Sequence, residues 1–238
     1  MLGLLLTKKR LFGRFFYKER EHSLITNIND LYDKLSEEMD HSTWWDTETQ
    51  WEIVVGAVLV QNTNWKNVDY SLANIAAATQ FDPVKLAAAS KTELEEWIRP
   101  SGFYKNKSQT LLALFAWLKT YHFNLEAIEK QEQSVLREKL LEIRGIGPET
   151  ADVLLVYVFN KVAFIADRYA QRIFQRLGVE EKLNYDKLQR IAPLPSGFTN
   201  GQARQFHGWL VDYGQIYLKS DEAWEQGFLR DFNLLVSN

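Results

Sequence analysis

With 238 residues, 46% of them hydrophobic and 25% charged, the chain has material for one large domain or two modest lobes, and none of the bias of a disordered or fibrous protein. It contains no cysteine, which excludes disulfides, thiolate metal sites and an iron–sulfur cluster held by cysteine in this chain; a cytoplasmic location is the expectation. The net charge of −3 does not mark a nucleic-acid binder, so any grip on phosphate has to come from a local patch.

Such a patch stands at the start of the chain, where Lys8, Lys9, Arg10, Arg14, Lys18 and Arg20 face Glu19 alone. The apolar run Met1–Leu6 precedes the basic cluster, the reverse of a signal peptide, and is far short of the ~18 apolar residues of a membrane span. No membrane association is expected. Trp51 to Val60 is apolar on nearly every side and predicts a buried central helix. Residues 66–78, 92–98, 105–120 and 133–142 carry the period of shorter amphipathic helices. Residues 150–160 predict a second buried element, and Pro148 near its start favours helix over strand. Val162–Ala166 is short and extended. Asp167 then stands where an N-cap belongs and Gly178 where a helix stops, before a last helix over about 202–218. There is no repeat and no linker rich in Pro, Gly or Ser.

The informative segment is Leu141-Glu142-Ile143-Arg144-Gly145-Ile146-Gly147-Pro148-Glu149-Thr150-Ala151-Asp152. A helix ends, two glycines one residue apart turn the chain, and a buried helix begins. Gly145 and Gly147 permit conformations that other residues resist and leave the main chain open to a ligand. Amides at a helix N-terminus suit an anion such as a DNA phosphate.

Residues 141–177 resemble the helix-hairpin-helix and Gly-Pro-Asp region of the endonuclease III superfamily, and the likeness extends over roughly residues 42–215. The family's aspartate falls on Asp167. Val58-Leu59-Val60-Gln61-Asn62-Thr63 is similar to the segment whose glutamine fills the gap left by a flipped base. Gly102-Phe103-Tyr104-Lys105-Asn106-Lys107 is similar to the loop that wedges into the opposite strand, and Phe206-His207-Gly208 fits a late helix. Trp44-Trp45, Gln61-Asn62-Thr63, Arg99–Tyr104 and Glu149 most resemble the 3-methyladenine DNA glycosylase III type. Glu149 replaces the nucleophilic lysine of bifunctional members, and the cluster cysteines are missing.

The resemblance implies an all-α fold. One helical lobe would cover residues 42–161 and a second 1–41 with 162–238, the DNA cleft lying between them. It implies a monofunctional glycosylase that flips a damaged base, an alkylated purine such as 3-methyladenine, out of double-stranded DNA. Asp167 would stabilise the oxocarbenium-like sugar or activate water, with Glu149 beside it; the competing reading is a plain N-cap contributing about 1 kcal/mol. Trp44, Trp45, Trp65 and Tyr169 would hold a flat cationic base between aromatic faces, unless they belong to the core. Gly145, Ile146, Gly147, Thr150, Gln61, Asn62, Thr63, Phe103, Lys105 and Lys107 would meet DNA. Arg168, Arg172 and Arg176 form a stripe that either meets phosphate or is simply solvated. Glu149 would orient water or accept amides, and His207 reads as structural. No cluster or other cofactor is expected, with a monovalent cation at the hairpin carbonyls as the one candidate. The protein would act as a monomer. The alternatives are a glycosylase for mispaired adenine or an oxidised base, and a non-catalytic helix-hairpin-helix DNA-binding protein, in which Asp167 would have no task.

Overall fold

The structure, a computed structural model, describes residues 23–25, 27–179 and 182–234. The basic cluster between Lys8 and Arg20 lies outside the described residues, as does the rest of 1–22. The fold is all-α: thirteen helices and one pair of three-residue strands among the described residues.

In chain order these are β1 (Ser23–Ile25), α1 (Ile28–Glu38), α2 (Gln50–Leu59), α3 (Trp65–Thr79), α4 (Pro83–Ala88), α5 (Lys91–Trp97), α6 (Tyr104–Thr120) and α7 (Leu125–Glu129). Then come α8 (Gln133–Leu141), α9 (Pro148–Tyr157), α10 (Arg168–Arg176), α11 (Tyr185–Ile191), α12 (Asn200–Tyr217), α13 (Asp221–Trp224) and β2 (Phe232–Leu234). Each helix foreseen from periodicity is present within three residues of its expected ends. The others escape a periodicity search for a physical reason: most are only four to seven residues long and are fixed by caps rather than by a long apolar face. Asp82 caps α4, with Pro83 at its first position, and Asn124, Asn184 and Ser220 cap α7, α11 and α13.

Helix α2 is buried from Ile53 to Leu59 and packs on α3, α6 and α9, so it needs no polar face. Helix α9 is buried along its length and is shared, touching α2 and α8 on one side and α11 and α12 on the other. Helices α10 and α12 pack on each other, with α1 against α12. The two strands join the ends of the described chain in parallel, Ser23 opposite Phe232 and Ile25 opposite Leu234.

Asp152 shows how a buried charge is made structural. It is 1% exposed, accepts a two-point hydrogen bond from Arg137 at 2.7 and 3.1 Å, and accepts further bonds from Tyr185 Oη (2.9 Å) and Gln189 Nε2 (2.8 Å). Such a network locks α8, α9 and α11 together, and breaking a buried pair of this kind typically costs about 3–5 kcal/mol.

Candidate active site

A cleft of about 1330 Å³ runs between the α2–α3 and α9 side and the α10–α12 side; Trp44, Trp45, Asn62, Trp65, Glu149, Asp167, Arg168, Tyr169 and His207 are among its lining residues. Sequence reasoning placed most of these in one site, and the fold brings them together.

Asp167 is both a cap and a cleft residue. Its Oδ1 accepts from Ala170 N–H at 2.8 Å, closing the first turn of α10. Burial pushes its carboxyl up to about 7, with Glu149 adding to the rise and the backbone N–H groups of Ala170 and Tyr169 opposing it. A carboxyl so poised, in a cleft, is what general acid–base or charge-stabilising chemistry uses. Glu149 sits in the first turn of α9 on the same cleft, exposed at its surface, and partial desolvation raises its carboxyl too.

The hairpin separates its two glycines. Gly145 has φ +87°, and a Cβ there would lie 2.0 Å from Thr110 Oγ1, so the fold itself requires glycine. Gly147 has φ −96° and an extended backbone, and a Cβ there would meet nothing within 4 Å. The expectation that both glycines serve backbone conformation is therefore corrected: at Gly147 nothing among the described residues demands one, and the space there is open. Helix α9 begins at Gly147 with no side-chain cap, so its first amides are left for another acceptor.

Several residues expected to meet DNA are otherwise engaged. Ile146 is 5% exposed and packs into the core, so only its backbone faces out. Thr150 is buried, and its hydroxyl accepts from Gln61 Nε2 at 2.9 Å, the same amide that donates to Gly145 O at 3.1 Å. Gln61 is thus latched to the hairpin. Lys107 is corrected outright as a phosphate ligand: its ammonium is buried and donates to Leu59 O (2.8 Å) and Ser101 O (2.7 Å), tying the end of α2 to the turn before Phe103. That burial pushes the amine down to about 8. Lys105 and Arg168 are exposed and without a partner among the described residues. Arg172 lines the cleft but donates to Leu218 O, and Arg176 pairs with Asp221 away from it, so the arginine stripe does not act as one surface.

Phe103 is 66% exposed, with φ +47°, and opens α6 without a side-chain cap. Asn62, also in the left-handed region at φ +52°, is exposed at the end of α2, and Thr63 Oγ1 accepts from Asn67. An apolar ring held outward by a strained backbone has the form of a wedge.

The tryptophans divide. Trp45 is 7% exposed, φ +60°, with its ring edge-on to Tyr157 at 5.2 Å; it belongs to the core while also lining the cleft. Trp44 and Trp65 are half-buried, their ring centroids 4.9 Å apart and tilted. A base sandwiched between two rings needs about 7 Å, twice the ~3.5 Å contact distance. The expected sandwich between these faces is therefore not in place, and one face at a time is offered. Tyr169 lies against Gly214, where a Cβ would meet its ring at 2.4 Å. Sequence reasoning missed Val60, Val153 and Ile165 in the lining, and Tyr157 behind His207. These lie in buried apolar stretches that carry no outward signal.

A family model described as HhH-GPD superfamily base excision DNA repair protein matches residues 55–194. The chain belongs to that superfamily. It is 38% identical over 222 residues to the protein named "Putative DNA repair glycosylase MJ1434" of Methanocaldococcus jannaschii, covering 91% of this chain and 99% of that protein. Among solved structures it is similar to the 3-methyladenine DNA glycosylase (MagIII) of H. pylori bound to 1,N6-ethenoadenine, with a TM-score of 0.67, 28% identity, and coverage of 79% of this chain and 97% of that one. A non-covalent endonuclease III–DNA complex shares the fold at a TM-score of 0.62 and 20% identity, over 81% of this chain and 86% of that one. This HhH-GPD protein is a DNA glycosylase of base excision repair, and its partner is DNA. The hairpin, Asp167 and the aromatic cleft are the parts of the superfamily fold where that activity is to be sought.

Proposed function

We propose that this protein is a monofunctional glycosylase for alkylated purines such as 3-methyladenine, acting as a monomer without a resident cofactor. The observation that carries the substrate is the aromatic cleft itself, in which Trp44 and Trp65 stand in the same cavity as Asp167. An alkylated purine is cationic and leaves as a neutral base, so it needs recognition more than protonation. An aromatic face supplies that through stacking and cation–π attraction of about 0.5–2 kcal/mol. The relative that binds 1,N6-ethenoadenine supports a purine lesion here.

In this reading the hairpin amides hold a phosphate, Phe103 enters the opposite strand, and Gln61 gives up its bonds to Gly145 O and Thr150 Oγ1 to occupy the gap left by the base. Asp167, as carboxylate, stabilises the positive charge that grows on the sugar as the glycosidic bond breaks. Glu149 offers no amine at the position of a Schiff-base lysine, so the abasic product is released uncut. An iron–sulfur cluster held by thiolates does not fit a chain without cysteine. The hairpin carbonyls are the place for a monovalent cation, which duplex affinity compared in potassium and lithium would reveal. The cytoplasm, on the nucleoid if the chain is bacterial, is the proposed location.

Base release from methylated genomic DNA, with the freed purines identified by mass, tests the substrate. Release of 3-methyladenine or 7-methylguanine is expected. Release only of unmodified adenine from mispairs, or of oxidised bases, overturns it. Borohydride added during turnover is expected to trap no covalent complex, and efficient trapping overturns the monofunctional assignment.

A further inference from the structure

One wall of the cleft presents hydrogen-bond donors that find no acceptor among the described residues. His207 is 5% exposed and lines the cleft, and its Nδ1 lies 2.7 Å from Tyr157 Oη. The phenol is itself buried, which raises it and keeps its proton in place. Its other neighbour, Arg204 O, is distant at 3.4 Å. A phenol is a better donor than acceptor and has two acceptors in reach, Arg204 O at 3.4 Å and the nearer Nδ1 at 2.7 Å; we place its proton on the shorter contact. That fixes the neutral ring with its own proton on Nε2.

Nε2 has no hydrogen-bond partner among the described residues. Beside it Trp44, whose ring stands edge-on to His207 at 6.4 Å, has a buried Nε1–H that is also unpartnered. Native proteins rarely leave a buried donor unmatched, and the orphaned Trp44 Nε1–H, with His207 beside it on the same lining of a ligand cleft, points to a ligand that brings an acceptor.

We infer that His207 is a specificity-determining residue whose Nε2–H donates to an in-plane acceptor of the extruded base, with Tyr157 as the positioning residue that fixes its tautomer. The inference rests on the proposal that the base enters this cleft, and adds what the base must present: a lone pair on a ring nitrogen or exocyclic oxygen, where a base offering N–H meets donor against donor. Burial pushes the imidazole down to about 3, so the ring is neutral and does not repel a cationic base.

Two variants separate this from a structural role. Asn at 207 places its amide near the Nδ1 position and can still accept from Tyr157, whereas Gln reaches the Nε2 position and can still donate into the cleft. Single-turnover excision is measured on whichever lesion the wild-type protein releases, and calorimetry follows binding of free 1,N6-ethenoadenine. His207→Gln is expected within about threefold of wild type. His207→Asn is expected to lose about tenfold in both readings, at unchanged affinity for undamaged duplex. The reverse order, or equal behaviour of the two variants, overturns the inference. If neither variant folds, nitrogen-15 NMR of the wild-type imidazole decides. Protonation at Nε2 with a resonance that moves on adding 1,N6-ethenoadenine is expected, and an Nδ1–H tautomer or an unmoved resonance overturns it. A wild-type protein that releases no alkylated purine would sink the substrate proposal alone, because the contrast is still read on the base that it does release.

Discussion

Two helices begin at the cleft, and they begin in opposite ways. Helix α10 opens with Asp167, whose carboxylate takes the Ala170 amide for itself. Helix α9 opens with Gly147 and no cap at all. Ten of the thirteen described helices have a side-chain cap, α10 included, so an uncapped start is the exception. Both ends carry the same positive dipole. At α9 it is left for an anion from outside, and a DNA phosphate fits. At α10 it is turned on the protein's own carboxylate, favouring the charged form in a place where burial opposes it. In the proposed function the same backbone device serves binding at one helix and chemistry at the other.

Asp167→Asn carries the largest expected effect. Asn still caps α10 but has no charge to offer, so excision should fall by at least about a hundredfold while plain duplex affinity holds. Wild-type excision should rise as pH climbs through about 7, because the proposed function works through the carboxylate, and burial holds that carboxyl up at about 7. Stability should move the other way. A carboxyl raised from 3.8 to about 7 by folding binds its proton more tightly in the folded state, so stability falls as pH rises across that window. The variant lacks this liability, and its melting temperature should gain on wild type between pH 4 and pH 8. Near wild-type turnover by the variant would leave Asp167 a cap and nothing more.

The comparison also marks what the sequence makes legible. Asp167 and the Gly-Ile-Gly turn are readable because each breaks a strong apolar pattern at a fixed place. The long helices are readable because burial imposes a period. Lys107 was misjudged for a physical reason: an amine next to an exposed Phe103 and Lys105 reads as surface, and only the fold brings Leu59 O and Ser101 O to it. Trp45 could not be told from Trp44, because neighbours in sequence become core and cleft only through a left-handed backbone at Trp45. His207 read as structural because its partner, Tyr157, is fifty residues away in another buried helix.

Replacing the hairpin glycines should split the α9 side of the comparison into its own two parts. Gly147→Val adds atoms only on the outside and should weaken damaged and undamaged duplexes alike. The loss is about tenfold or more, the scale of one charge-assisted hydrogen bond at about 1.5–3 kcal/mol, with melting little changed. Gly145→Val must fit a Cβ against Thr110 at φ +87°, so melting itself should drop, by about 1–3 kcal/mol. Binding and calorimetric melting on the two variants check this. Normal duplex affinity in folded Gly147→Val would remove the phosphate from the α9 terminus.

The smallest expected effect comes from Glu149, which stands in the first turn of α9 and acts on both helix ends. Its charge competes with a phosphate for the α9 dipole, and it helps raise the Asp167 carboxyl. Glu149→Gln should therefore tighten undamaged duplex binding by about two- to fivefold, the scale of a ~0.3–1 kcal/mol helix-end charge effect. With one negative neighbour gone, Asp167 ionises more readily, so the pH at which excision reaches half its plateau should move down while the plateau stays within a few fold. Titrating duplex affinity and single-turnover rates from pH 5.5 to 8.5 reads both shifts at once. A plateau lowered more than about tenfold at every pH, with no shift of the midpoint, would show that Glu149 handles the attacking water directly. The division of labour between the two helix ends would then have to be redrawn, with chemistry at both.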